Sequence, residues 1–432
     1  MTRWLLIGLF RDKTRSLFPF LVVTVGVALV ITLVGFMEGV FMGMVDMTAK
    51  LDTGHLRFVN KPFYDEEHLI PMDRALADQE KTLKWLKENS DPEIAWAPRI
   101  RWGAILDVPD ENGETKTQTP VIGMAIDLLS KNSTEVGRLD LERSIVEGRA
   151  PVKSGEMLVG YKLAEALELK PGDTLTLIGQ TFDGGLATDN YIAVGFIRFG
   201  VFAMDKRMAL IDLADAQKTF YMEGMVTDWL GFLPPHVGYK KFRLMQEDIN
   251  KRIAGLRNNP PEDWAKDDVP IILSILDQRN IGVITDKFEM VRGIIVGVFL
   301  FLMALVLWNA GILNVIHRYG EMGLRLAMGE THFQLLLSLV KEAVLIGTLG
   351  VLAGCLTGGA LTYYLQEVGI NMGDAFAKTG LMMNDVVRGR VSLEGFITGI
   401  IPGMTASVLG TLIAGFAIFK RSTANLFREL ES

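Results

Sequence analysis

GIIVGVFLFLMALVLWNAGILNVIHRYGEMGLRLAMGE, Gly293–Glu330, joins two unlike stretches. Gly293–Ile316 carries no charge, whereas His317–Glu330 spaces polar residues between glycines at 320, 323 and 329. A charge-free run of this length crosses a hydrocarbon core, which takes roughly 20 helical residues. Three further runs share the property. Leu17–Val45 holds Glu38 as its single charge, and Ala343–Gln366 and Phe396–Phe419 hold none. A soluble domain can reach 49% hydrophobic residues, so the concentration of the apolar residues decides the class. The sequence predicts a membrane protein with four transmembrane α-helices and a large mixed α/β extracytoplasmic domain between the first two.

The first run follows a basic lead, as a signal peptide would. It far exceeds the roughly 7–15 residues of a signal h-region and no small-x-small site ends it, so it reads as a retained helix. Cys355 lies inside the third run; a lone cysteine excludes an intramolecular disulfide and reads as a small packing residue. Arg3, Arg11, Lys13 and Arg15 precede span one, His317, Arg318 and Arg325 follow span two, and Lys420, Arg421 and Arg428 follow span four. With four spans these three basic segments share one side, which the positive-inside rule makes cytoplasmic, so both termini are expected there. The net charge of −7 comes mainly from Asp46–Asp286, placed outside; long translocated domains are insensitive to the charge rule.

Residues 1–16 suit an amphipathic helix lying in the inner-leaflet interface, or a frayed lead-in to span one. Within 46–285, GHLRFVN and IAWAPRIRWGAIL read as strands around a charged helix near Arg74–Asn89. GEMLVGYKLAEALELKPGDTLTLIG reads as strand, helix, Pro-Gly-Asp turn and strand. Further strands and a short helix follow, then a helix near Phe242–Leu256 and a strand at PIILSIL. Residues 367–392 are expected to form an external loop with a short helix that caps the spans.

A search for catalytic chemistry returns little. His55 and His68 lie near Asp65, Glu66 and Glu67 without any metal-binding spacing, and read as exposed loop residues. Asp205, Lys206 and Arg207 read as a surface turn rather than an acid–base pair. There is no G-x-S-x-G elbow, and NGETKT at 112–117 is a turn rather than a phosphate-binding loop. Without G-x-x-x-x-G-K-[ST], this chain by itself binds no ATP in a P-loop; no cofactor and no metal is expected on it. Glu38 and Asp46 sit near the outer end of span one, where a carboxylate reaches water, and Lys341 and Glu342 at the start of span three, where snorkelling is easy. No span carries a central charge, which argues against an ion-driven transporter.

The order of motifs resembles the FtsX-like, MacB-type permeases of ABC transporters, a family working by mechanotransmission, and within it the LolC/LolE type. EMGLRLAMGE resembles the family's segment after span two at Glu321, Met322, Gly323, Arg325, Gly329 and Glu330. LVKEAVLIGTLGVLAGCLTG is similar to its third span at Glu342, Gly347 and Gly350. IVEGRAPVKSGEMLVGYKLAEALELKPGDTLTL and VGFIRFGVFAMDKRMALIDLADAQ resemble its ectodomain motifs. The resemblance covers nearly the whole chain.

The resemblance implies that residues 317–331 form a coupling helix, docking through Glu321, Met322, Gly323, Arg325, Met328 and Gly329 into a separate ABC ATPase subunit present in two copies, which holds ATP and Mg2+. The plainer alternative for Glu321 and Arg325, four apart on a helix, is an intrahelical ion pair worth about 0.3–0.5 kcal/mol. Spans one (17–45) and two (286–316) are expected to extend as stalks, followed by span three (332–366), span four (393–419) and a cytoplasmic tail (420–432). The ectodomain maps onto a Porter-like part, 46–108 and 228–285, and a Sabre-like part, 109–227. A second permease subunit, identical or homologous, and membrane lipid are expected partners; no nucleic acid is. Lipid-anchored or amphipathic cargo is expected to meet Val34, Phe36, Met37, Val40, Phe41 and Met44 of span one and Met290, Ile294, Val298 and Leu302 of span two, where ordinary lipid or helix packing is the plainer reading. The favoured function is lipoprotein release from the bacterial inner membrane; export of small amphiphiles or peptides and FtsX-like activation of a periplasmic hydrolase stay open.

Overall fold

The computed structural model describes residues 13–110, 113–234, 237, 239–258, 270–317, 319–372 and 386–419. The expected interfacial helix over 1–16, the loop helix within 367–392 and the tail 420–432 lie wholly or mainly outside the described residues. The chain divides into two compact units, one of residues 1–42, 286–371 and 386–432, the other of 43–285 with 372–385.

The first unit contains helices long and apolar enough to cross a membrane. They are α1 (Lys13–Thr48), α7 (Ile281–His317), α9 (His332–Val368) and α10 (Leu393–Phe419); α1 and α7 begin or end in the other unit. Apolar side chains give no net drive for helices to associate in lipid, so close packing needs small residues. Gly350, Gly354 and Gly358, spaced by four on one face of α9, supply them. A Cβ at these positions would fall 2.9, 2.7 and 2.8 Å from atoms of Val23, Val27 and Ala28 on α1. Gly399 and Gly403 of α10 likewise admit Ile31 and Val27. The resulting cluster buries Val23, Val27, Ile31, Met303, Leu307, Val351 and Ala406. Ser407 Oγ donates to the Ala343 carbonyl at 2.9 Å, tying α10 to α9. Glu38, placed by the sequence near the outer end of span one, is half-buried and accepts from Ser392 Oγ.

The second unit is a mixed α/β domain. Its strands are β1 (Leu56–Asn60), β2 (Ala95–Pro109), β3 (Thr115–Ile126), β4 (Ile145–Gly148), β5 (Glu156–Gly160), β6 (Thr174–Gln180), β7 (Leu186–Ile197), β8 (Met208–Asp212), β9 (Asp228–Phe232) and β10 (Pro270–Ser274). Pairing runs β10-β1-β9-β2-β3-β8-β5-β7-β4, and β6 bridges β2 and β7. β2, β3, β8, β5, β7 and β6 thereby close on themselves, while β10-β1-β9-β2 forms an open ladder. The long β2 belongs to both. Its first part, Ala95–Arg99, pairs with β9, and its later part pairs with β3 and β6. Trp102, fully buried on β2, faces Gly123 on β3, where a Cβ would lie 1.8 Å from the indole. Glycine there makes room for the ring.

Helices α2 (Gln79–Asn89), α3 (Tyr161–Ala166), α4 (Phe202–Arg207), α5 (Leu213–Thr219) and α6 (Tyr239–Asn258) complete the domain with a few single turns. α2 starts later than Arg74 because Asp78 caps it, accepting from Lys81 N at 3.1 Å. Two expectations are corrected here. Asp205 is buried on α4 and accepts from Phe199 N at 2.6 Å, so it organises a helix rather than a surface turn. His55 is largely buried; its Nδ1 accepts from Leu233 N at 2.9 Å. Burial, with Arg138 and Lys50 nearby, pushes its pKa down to about 4.

Candidate functional sites

Tyr319–Ala327 forms a short helix, α8, between α7 and α9. Its end is closed by backbone chemistry: Glu330 N donates to Arg325 O at 3.1 Å, and Gly329 N to Leu326 O at 3.1 Å. This is a Schellman ending, and Gly329 adopts the φ of +95° that it requires. Thr331 and Gln334 then form a reciprocal capping box at the start of α9. With the end of α8 and the start of α9 both capped, the turn between them forms an elbow.

The residues of this elbow divide by face. Met322 is 4% exposed and packs on Leu335 and Leu339 of α9, with Gly323 buried beside it. They hold α8 in place. Outward stand Leu324, 59% exposed, and Met328, 71% exposed, with Phe333 also exposed just beyond the turn. Glu321 and Arg325 pair at 2.8 Å on the surface. Sequence reasoning singled out Met328 and overlooked Leu324. The signal was present, since 324 and 328 are one helical turn apart and flank the arginine.

The apolar residues proposed on the stalks also divide. Val34, Phe41 and Met44 are buried, and Met37 and Val40 half-buried. The Phe41 ring stacks on Phe288 with centroids 4.7 Å apart. Met290, Ile294, Val298 and Leu302 of α7 are exposed and recur every four residues along one face. Among the residues proposed as cargo contacts the accessible stripe is therefore on α7; the exposed apolar residues of span one, Leu17, Leu21, Val25 and Leu29, lie toward its N-terminal end.

The ectodomain motif GRAPVKSGE proves to be a closed loop. Arg149 grips Glu156 with both nitrogens, at 2.8 and 2.5 Å, and Val152 N adds a third donor at 2.8 Å. These bonds, the arginine's foremost, hold the Glu156 carboxyl down to about 2. The loop's role is architectural. Among the described residues no group of three His, Cys, Asp or Glu is arranged to hold a metal.

Sequence reasoning did not find the most highly charged place in the domain. Arg57 of β1, Arg101 of β2 and Asp228 of β9 meet where three neighbouring strands run side by side, joined by Asp52, Glu67 and Arg279. Arg57 and Asp228 have fully buried side chains. Burial alone would push the Asp228 carboxyl up; Arg101 and Arg57 override it and hold it below the usual carboxylate range.

Four candidate spans with a mixed α/β domain inserted after the first define a membrane protein with an extramembrane domain. Two family models agree with that architecture. The MacB-like periplasmic core domain matches residues 17–230, and the FtsX-like permease C-terminal domain matches residues 293–423. The chain belongs to the MacB/FtsX/LolC family of ABC-type permeases. Among its relatives are the lipoprotein-releasing system transmembrane proteins LolC of two Xylella fastidiosa strains, Temecula1 and 9a5c. Each is 22% identical over an alignment of 371 residues that covers 82% of this chain and 78% of the relative. A solved structure of the periplasmic region of MacB from Actinobacillus actinomycetemcomitans matches with a TM-score of 0.34 and 10% identity, over 56% of this chain and 95% of that one.

Proposed function

We propose that this chain is the permease subunit of an ATP-driven complex that extracts lipid-anchored cargo from the outer leaflet of the bacterial inner membrane, lipoprotein release being the favoured activity. Its termini and α8 lie in the cytoplasm and its α/β domain in the periplasm. Two copies of a separate ATPase and a second permease, identical or homologous, complete the machine.

The observation that carries this reading is the elbow at α8. A helix braced inward by Met322 and capped at its end passes a push on to α9 rather than deforming, while Leu324 and Met328 offer the outward apolar contact. Helix length supports it as well. α1 has 36 residues and α7 has 37, about 54–56 Å at ~1.5 Å per residue, against a hydrocarbon core of ~30 Å. Basic residues beside spans one, two and four support the orientation. The LolC relatives, proteins of a lipoprotein-releasing system, favour acylated protein as cargo, and the exposed stripe on α7 is chemically suited to acyl chains.

Reconstitution of the chain with its ATPase and second permease in proteoliposomes tests the reading. ATP should drive transfer of an acylated protein to the aqueous phase and leave the same protein without its acyl chains unmoved. Efflux of small amphiphiles in place of protein release would replace lipoprotein by an export substrate. ATP turnover that only activates an added periplasmic hydrolase would overturn transport altogether.

A further inference from the structure

Two short segments connect the α/β domain to its first two spans, and both have irregular backbones. Ala49–Thr53 is a π-helical turn continuing α1. Arg279 and Asn280, just before α7, have φ of +50° and +58°, a left-handed region that residues with a Cβ disfavour. Such local departures persist only where surrounding interactions impose them. Here the two segments meet at one carboxylate. Arg279 Nε donates to Asp52 Oδ2 at 2.6 Å, and its Nη2 donates to Asp52 Oδ1 at 3.3 Å and to Glu67 Oε1 at 2.5 Å.

Behind that pair the network is rooted in the sheet. Arg101 of β2 donates to the Asp52 carboxylate and to its backbone carbonyl, and pairs with Asp228 of β9 at 3.3 Å. Arg57 of β1 pairs with Asp228 at 3.4 Å and with Glu67 at 3.0 Å. Three arginines face three carboxylates, so the cluster is neutral as a whole. The side chain of Asp52 is 6% exposed, whereas that of Arg279 is 48% exposed. The network is thus a buried socket with one accessible key. A well-packed apolar plug would stabilise the domain at least as well, so charge here is not explained by stability. What directional, charge-assisted bonds add is a fixed geometry between the segments they join.

We infer that Asp52 and Arg279 are positioning residues that clamp the segments leading to spans one and two onto the β1-β9-β2 sheet, so that displacement of either stalk is delivered to the whole domain. This rests on the mechanotransmitting role proposed above. Without the clamp the stalks move while the domain lags, and ATP is spent without work on cargo.

The test uses the full chain in lipid nanodiscs. With Cys355→Ala as background, nitroxide labels at Lys50→Cys and Val283→Cys, both exposed positions, report the separation of the two segments. A single narrow distance distribution is expected, broadened at least about twofold by Arg279→Gln or Asp52→Asn and kept narrow by Arg279→Lys. Unchanged distributions in Arg279→Gln and Asp52→Asn would overturn the clamp. In the reconstituted complex, Arg279→Gln should lower cargo released per ATP by about tenfold with hydrolysis unaltered, and Arg279→Lys should restore it. Parallel loss of release, hydrolysis and melting temperature would reduce the cluster to a structural one and overturn the inference. If the unaltered complex hydrolyses ATP but releases no acylated protein, the functional reading fails instead, and the distance measurement still decides the clamp.

Discussion

Replacing Leu324 and Met328 together by aspartate separates docking from folding. Complete burial of such a side chain is worth about 1.5–3 kcal/mol. Leu324 is 59% and Met328 71% exposed in the free chain, so only that fraction remains to be buried by a partner. About 1–2 kcal/mol each, or ~2–4 kcal/mol together, corresponds to roughly 30- to 700-fold in affinity. The chain's own stability should hardly move, because neither side chain packs inward. Met322→Ala is the converse. It empties a site 4% exposed against Leu335 and Leu339, at a cost of about 2–5 kcal/mol borne by the fold. Titration of the ATPase onto the full chain in nanodiscs gives the affinity, and thermal melting gives the stability. An L324D/M328D chain that binds the ATPase within about threefold of the unaltered one would refute the reasoning. So would a Met322→Ala chain that melts normally but fails to bind.

Three further outcomes are expected. Arg325→Ala should change melting little, since its exposed pair with Glu321 is worth ~0.3–0.5 kcal/mol, yet reduce ATP-driven release more than protein level; equal losses would make it merely structural. Gly354→Ala places a methyl 2.7 Å from Val27 Cβ and should cost about 1–3 kcal/mol in detergent melting, whereas Gly297→Ala, with nothing within 4 Å, should be neutral or better. His55 has a folded pKa of about 4 against an ordinary 6.5, so the unfolded chain binds the extra proton. Its stabilising contribution is complete above pH 6.5 and is lost as pH falls through 4, amounting to at most roughly 3 kcal/mol. Denaturant titrations at pH 7.5 and 5 should show this loss, and His55→Gln should flatten it.

How much of this was legible beforehand differs from element to element. The spans were readable because lipid demands about twenty uncharged residues in sequence, a condition on consecutive residues. The same holds for GHLRFVN and PIILSIL as strands, and for the Pro-Gly-Asp turn, where local backbone preference decides. Which face an apolar residue presents is a different matter. Met322 and Met328 look alike in sequence, and only the packing of α8 on α9 sends one inward and the other out. Phe41 and Ile294 also look alike in sequence, yet Phe41 is buried with its ring on Phe288 and Ile294 is 58% exposed.

The sequence by itself determined the class of protein, the position of the inserted domain, and the polar segment after span two, all properties of contiguous chain. Only the tertiary structure decided the charge cluster. Asp52, Glu67 and Arg57 are separated by more than 150 residues from Asp228 and Arg279, and no local pattern marks any of them. They meet because β9 pairs between β1 and β2, and because the chain returns to the start of the domain before entering α7. Long-range strand order, which burial and pairing select together, turns scattered charges into one neutral network.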